Sequence, residues 1–331
     1  MLKIDLIDRK ILYELDHNAR LPLTQMAKKL RISRETLNYR IKNLEKEGVI
    51  TKYVAQIDPT KLGYSVFKLF FKFQNLSREK EKELLDWLIN NPYIYWVASS
   101  KGKWDLNITV FARNISHLDE ILSGFINKFG SFIAEQEFNT TLKVGILSKN
   151  WLMESKKERE LRSFGAESKD LNLDQIDVEI LRLLANNARM NVLEMAKKIK
   201  STARIVAYRI KDLEKKRIIL GYSISVDYEK LSKQFFKANI FFNVLDRNTK
   251  KKIEEYCKSR PNIIYFIFCV GSWPLEIEFL VKDNSEFYQE MDLFREQFPE
   301  MKGHETLIFP KEYKFEWMPA CYGIDNVRLT N

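Results

Sequence analysis

Cysteine is scarce. The 331 residues contain three, Cys257, Cys269 and Cys321, too few and too scattered for a disulfide framework or a zinc site. They read as buried or free thiols of a reducing cytoplasm. Histidine is equally sparse: His17, His117 and His304 share no motif and read as surface or capping residues. The chain has no glycine-rich phosphate loop, no His-Glu-x-x-His and no nucleophile elbow. The expectation is no catalysis, no cofactor and no metal. No apolar run approaches the roughly 20 residues of a membrane helix; the longest, 263–270, has the length of a buried strand. An acid at Asp5 comes too early for a signal peptide, so a cytoplasmic protein that does not use a membrane is expected.

Charge and aromatics are plentiful. Lys and Arg number 55 against 45 Asp and Glu, a net charge of +10, and 22 Phe, 14 Tyr and 6 Trp leave ample material for cores. Where the excess positive charge sits decides what it is for.

The chain repeats itself at an offset of 169 positions. Ile7-Asp8-Arg9-Lys10-Ile11-Leu12 maps onto Ile176-Asp177-Val178-Glu179-Ile180-Leu181. Asn18-Ala19-Arg20 maps onto Asn187-Ala188-Arg189, and Tyr39-Arg40-Ile41-Lys42 onto Tyr208-Arg209-Ile210-Lys211. The same offset later carries Pro92 to Pro261, Gly102 to Gly271 and Trp104 to Trp273. One two-part unit has therefore been duplicated.

Within each unit the period changes. Residues 4–50 carry three helical stripes: Ile7, Ile11, Leu12 and Leu15; Leu23, Met26, Ala27 and Leu30; Leu37, Ile41 and Leu44. Asp5 and Ser33 are natural N-caps, Gly48 is a natural stop, and 49–57 reads as a wing strand. After 63 the pattern is strand, helix, strand, strand, helix, strand. In the first strand Phe67, Leu69, Phe71 and Phe73 lie on one face, Lys68 and Lys72 on the other. The expected fold class is α+β: winged helix-turn-helix (1–62), ferredoxin-like domain (63–153), charged solvated linker (154–171), second winged helix-turn-helix (172–231), second ferredoxin-like domain (232–320) and a tail (321–331). An 18-residue linker reaches roughly 60 Å, enough for the two ferredoxin-like domains to pair within one chain.

The third helix of a helix-turn-helix enters the major groove. Opposite its core side stand Glu35, Tyr39, Lys42 and Lys46, flanked by Arg34, Asn38 and Arg40. The counterparts in the second copy are Arg204, Tyr208, Arg209, Lys211 and Lys215. These residue types read base edges or hold phosphates, Arg40 and Arg209 being assigned to phosphates. Residues 1–62 carry 13 basic and 8 acidic side chains, residues 170–231 carry 12 and 9, so most of the net charge lies on these two parts. Double-stranded DNA is the expected partner.

Asp5-x-x-Asp8-x-x-Ile11-Leu12-x-x-Leu15, Asn18-Ala19-Arg20, Leu30-x-x-Ser33 and Arg40-x-x-x-Leu44-x-x-x-Gly48-Val49-Ile50 resemble the Lrp/AsnC feast/famine regulators, over nearly the whole chain as two fused copies. The resemblance implies a ferredoxin-like effector and oligomerisation module. It also implies a response to an amino acid or similar small effector, and higher assembly by pairs of chains. The family's Gly-x-aromatic-Asp turn is matched by Gly102-Lys103-Trp104-Asp105, which makes Gly102, Trp104 and Asp105 candidate effector contacts; the alternative is a plain hairpin anchored by Trp104 and Trp273. The second copy departs: Arg217 stands in place of Gly48, Ser201 of Ile32, and Pro274 of Asp105. A left-handed residue at 217 would cost about 1 kcal/mol. Two other readings remain. Siroheme decarboxylases resemble the same paired architecture but carry a histidine motif after a proline, and neither Pro92–Val97 nor Pro261–Phe266 holds a histidine. A winged-helix protein-interaction factor would not need the basic third helices.

Overall fold

A computed structural model describes residues 4–153, 159–165 and 167–323; the tail beyond 323 and linker positions 154–158 and 166 lie outside the described residues. The first three helices form where caps and stripes place them. α1 (Leu6–His17) starts from a reciprocal capping box, Asp5 accepting from the Asp8 N–H and Asp8 from the Asp5 N–H. α2 spans Leu23–Leu30 and α3 spans Arg34–Lys46, the latter capped by Ser33. Leu37, Ile41 and Leu44 are its buried side. The second copy repeats this as α6 (Gln175–Asn186), α7 (Val192–Lys198) and α8 (Ala203–Lys215).

The wing strands find their partners across the duplication. β1 (Ile50–Ile57) pairs antiparallel with β7 (Ile219–Val226), and the two make a sheet of their own. The helical part of each copy docks on the other's strand: the Ala19 N–H donates to the Tyr222 carbonyl and the Ala188 N–H to that of Tyr53. Arg20 reaches across to the Ala188 and Met190 carbonyls. The two helix-turn-helix units are thus one pseudo-symmetric body.

Between them the chain builds β2 (Ser65–Phe73), α4 (Arg78–Asn90), β3 (Ile94–Lys101), β4 (Leu106–Ala112), α5 (Ile115–Phe129) and β5 (Ile133–Leu147). The second copy gives β8 (Gln234–Phe242), α9 (Arg247–Ser259), β9 (Ile263–Gly271), β10 (Leu275–Val281), α10 (Asn284–Gln297) and β11 (Met301–Phe315). Each set is a ferredoxin-like sheet, ordered β5-β2-β4-β3 and β11-β8-β10-β9. The edges of one sheet pair with those of the other, β3 with β11 and β5 with β9, so eight strands close into a barrel. Closure leaves these strands no free edge. Helices pack on the outer faces over two apolar cores. The inner faces meet in a third core that includes Phe70, Trp96, Trp104, Phe309 and Trp273.

The linker is not simply solvated. Its residues Leu161–Gly165 form β6, which pairs with β5 at the barrel's side. Arg159 and Arg162 are buried. Arg162 donates to the Gln56 side chain (2.8 Å) and to the His17 carbonyl (2.6 Å). A Cβ on Gly221 would fall about 2.4 Å from the Arg162 guanidinium carbon, so the missing side chain there is the arginine's berth. Among the described linker charges, Arg162 bonds the linker to the helix-turn-helix body and Arg159 bonds it to the Ser148 and Arg260 carbonyls, whereas Glu160, Glu167 and Lys169 are exposed.

Candidate nucleic-acid interface and barrel interior

α3 presents Arg34, Glu35, Tyr39, Lys42 and Lys46 to solvent, with Asn38 beside them. α8 presents Arg204, Tyr208, Lys211 and Lys215. The two tyrosines are 66% and 68% exposed, unusual for rings with no packing duty. Ser33 caps α3 by accepting from the Thr36 N–H; Thr202 caps α8 by accepting from that of Ile205. The Glu35 carboxylate lies in the first turn and is held below its usual range by its own backbone N–H and by Ser33. Sequence reasoning passed over Ile205, an exposed apolar residue on α8. It also passed over Arg31, exposed in the turn before α3 in a left-handed conformation (φ 57°).

Arg40 and Arg209 do not face outward as assigned. Arg40 bonds Asp5 (2.8 Å) and Asp8 (2.9 Å), the two carboxylates of the α1 capping box. Arg209 does the same with Asp174 (2.7 Å) and Asp177 (3.2 Å). The Asp8 backbone N–H, and after it Arg40, hold the Asp5 carboxyl below its usual range. A phosphate would have to compete with two carboxylates already in place, so these arginines fasten the third helix of each unit, α3 or α8, to the first.

The Gly-x-aromatic-Asp turn also has other work. Gly102 adopts φ 127°, and a Cβ there would stand 2.5 Å from the Thr306 carbonyl of β11. Gly271 adopts φ 147° and is crowded in the same way by Phe138 and Asn139 of β5. The glycines let strands of opposite copies approach; they do not open backbone to a ligand. Asp105 accepts from Lys72 (2.8 Å) and from the Phe73 N–H (2.9 Å). Trp104 is 1% exposed, as is Trp273. The turn is a structural seam.

The barrel interior holds what the sequence did not announce. Lys68 and Lys237, counterparts by the repeat, meet Glu276 and Glu278 of β10. Lys68 lies 2.5 Å from Glu276, and Lys237 lies 3.0 Å from each glutamate. All four are buried. Burial opposes ionisation of Glu276, but the two ammonium groups hold its carboxyl down at about 2. The first copy has Asn107 and Thr109 at the matching positions, so a balanced ion cluster is assembled from both copies. The one available signal was the lysine repeated at 68 and 237.

The comparisons agree with this geometry. The winged helix-turn-helix DNA-binding family matches residues 4–51, and the AsnC-type helix-turn-helix domain matches residues 173–214. The HTH-type transcriptional regulator FL11 of Pyrococcus horikoshii is 32% identical over 128 residues, 39% of this chain and 81% of that protein. The regulator LrpA of the same organism is 34% identical over 125 residues, 38% of this chain and 87% of that protein. A crystal structure of the siroheme decarboxylase NirDL superposes over 99% of this chain and all of that one, with a TM-score of 0.62 and 13% identity; at that identity the likeness is one of fold. With two helix-turn-helix units, each followed by a ferredoxin-like sheet, and relatives that each span one unit, this chain belongs to the Lrp/AsnC family of DNA-binding transcription regulators, in a tandem form.

Proposed function

We propose that one chain acts as a pseudo-dimer, placing two non-identical reading helices on one operator, and that it regulates by binding rather than by catalysis. The observation that carries this is the β1–β7 sheet, which joins α3 and α8 into one body while leaving both basic faces exposed. A reader of duplex DNA needs such faces for phosphates and base edges. A decarboxylase reading has less support. The barrel interior is lined by two lysines, two glutamates and aromatic rings, and neither Pro92–Val97 nor Pro261–Phe266 supplies a histidine. The chain would work in the cytoplasm, with a small effector biasing its affinity.

Genomic fragments selected by the purified chain would give the operator. Binding to that duplex should weaken by orders of magnitude between about 50 and 200 mM salt, as phosphate-held counterions are exchanged for Lys and Arg. Binding indifferent to salt, or copurification of a tetrapyrrole, would overturn the proposal.

A further inference from the structure

A cavity of about 60 Å³ at one end of the barrel opens towards a cleft of about 300 Å³ beneath the β1–β7 sheet. Tyr95, Trp96, Tyr228, Tyr265 and Trp317 wall it, and Glu312 of β11 stands where cavity and cleft meet. The Trp96 indole N–H donates to one Glu312 oxygen at 2.7 Å. No cation lies within ion-pair distance of Glu312 among the described residues, although Lys68 lines the same cavity and Lys237 is close enough to act on its charge. Those lysines are matched by Glu276 and Glu278, so Glu312 is the surplus carboxylate of the interior. The hydroxyls of Tyr228 and Tyr265 make no hydrogen bond among the described residues. The ladder between β11 and β3 slips twice around Glu312, between Ile308 and Lys311 and again between Glu312 and Lys314. Such irregularities re-aim side chains.

The repeat makes this site single. In the last strand of each copy the repeat is offset by 168, because α10 is one residue shorter than α5, and the counterpart of Glu312 is the apolar Val144: Glu312 pairs with Ala98, and Val144 with Ile267, the repeat of Ala98. The counterparts of Tyr228, Trp317 and Glu278 are Pro59, Lys149 and Thr109. The barrel also contains its own precedent for the chemistry: the Lys237 ammonium sits 5.0 Å from the Trp96 ring, 5.3 Å from Phe309 and 5.6 Å from Phe70. Aromatic walls around a carboxylate are what an alkylammonium group requires.

We infer that this cavity is a binding site for a small organic ammonium ligand, its cationic head against Glu312 and the aromatic wall and its remainder in the cleft under the β1–β7 sheet. One site is built per chain, in a place where occupation would bear on the strands that join the two reading units.

The probe is 2-phenylethylamine, with the isosteric neutral alcohol 2-phenylethanol as control, titrated into the full chain without DNA. Calorimetry and the fluorescence of the cavity tryptophans report binding. The amine should bind at least tenfold more tightly than the alcohol at pH 8. Enclosure by protein pushes the Glu312 carboxyl up to about 7. Around it Glu276 is held down at about 2 and Lys68 is held above its usual range. Lys237 and Glu278 face the same space as a pair, and Tyr95, Tyr228 and Tyr265 are pushed up by burial. Amine affinity should therefore fall about tenfold from pH 8 to pH 6 as Glu312 takes up its proton. Glu312→Gln keeps the Trp96 hydrogen bond and should remove both the preference for the amine and its pH dependence. Equal affinity for amine and alcohol, no binding of millimolar amine at pH 8, or full binding by a folded E312Q chain would overturn the inference. None of these readouts depends on whether the chain binds DNA.

Discussion

Arg40 shows how one residue's neighbours decide its role. The side chain that reads as a phosphate contact is held by Asp5 and Asp8. Arg40→Ala should lower folding stability by about 1–2 kcal/mol, the worth of a partly buried charge-assisted pair, and leave the salt dependence of DNA binding nearly unchanged. Arg34→Ala and Lys42→Ala should do the reverse, each weakening binding by about 1–3 kcal/mol and flattening the salt slope with no change in melting temperature. Thermal melts beside salt-series binding separate the two patterns. Arg217 offers a second test. It stands where the first copy has Gly48, and both are left-handed, at φ 56° and 67°. Arg217→Gly should stabilise the chain by up to about 1 kcal/mol in denaturant titrations, because glycine adopts that conformation without a Cβ penalty; a neutral or negative result would mean that the arginine makes compensating contacts.

At the scale of elements, β6 is the segment whose composition misled. A run rich in Lys, Glu and Arg reads as solvated chain, yet the arginines in and beside this strand bond backbone carbonyls of other elements. Arg159 donates to the carbonyls of Ser148 and Arg260, Arg162 to that of His17. Arg162→Ala would leave buried acceptors without donors and should cost about 2–3 kcal/mol. The loss should appear as earlier melting with DNA contacts intact, and Arg162→Lys should recover only part of it, because one ammonium cannot reproduce the guanidinium fork. Helices were legible in the sequence because caps and 3.6-residue stripes are local: Asp5, Ser33 and Gly48 mark their ends. Strands were legible as strands, but not their partners. In β2 the alternation of Phe67, Leu69 and Phe71 with Lys68 reads as one buried and one wet face. Closure of the barrel buries the second face too, and Lys68 survives there only because Glu276 comes from the other copy. Such long-range pairing leaves no mark in a local pattern. The same is true of Glu312, whose significance depends on two sheets and a bulge meeting.

The whole molecule is a two-fold design with the symmetry broken in chosen places. A homodimer would show DNA two identical helices and so select a palindrome. Here the β1–β7 register and the closed barrel keep the frame symmetric, while the reading faces differ. Tyr39, Lys42 and Lys46 recur as Tyr208, Lys211 and Lys215, but Arg204 stands in place of Glu35 and Ala207 in place of Asn38. Glutamate accepts from cytosine N4, arginine donates to guanine O6 and N7, asparagine pairs with adenine, and alanine touches only a thymine methyl. Both units keep the arginine–carboxylate clasp that fixes the helix to its unit, through Arg40 and Arg209, so the two helices should dock in the same way and read different bases. The expected operator is two half-sites about one helical turn apart, alike in outline and unequal in sequence. Arg204→Glu together with Ala207→Asn should move the selected site towards a palindrome, with each restored match worth about 1–3 kcal/mol. Selection from random duplexes with both proteins is the measurement. A parent site that is already a perfect palindrome, and that the double substitution leaves unmoved, would show that these positions do not read bases and that the asymmetry of the chain serves the barrel alone.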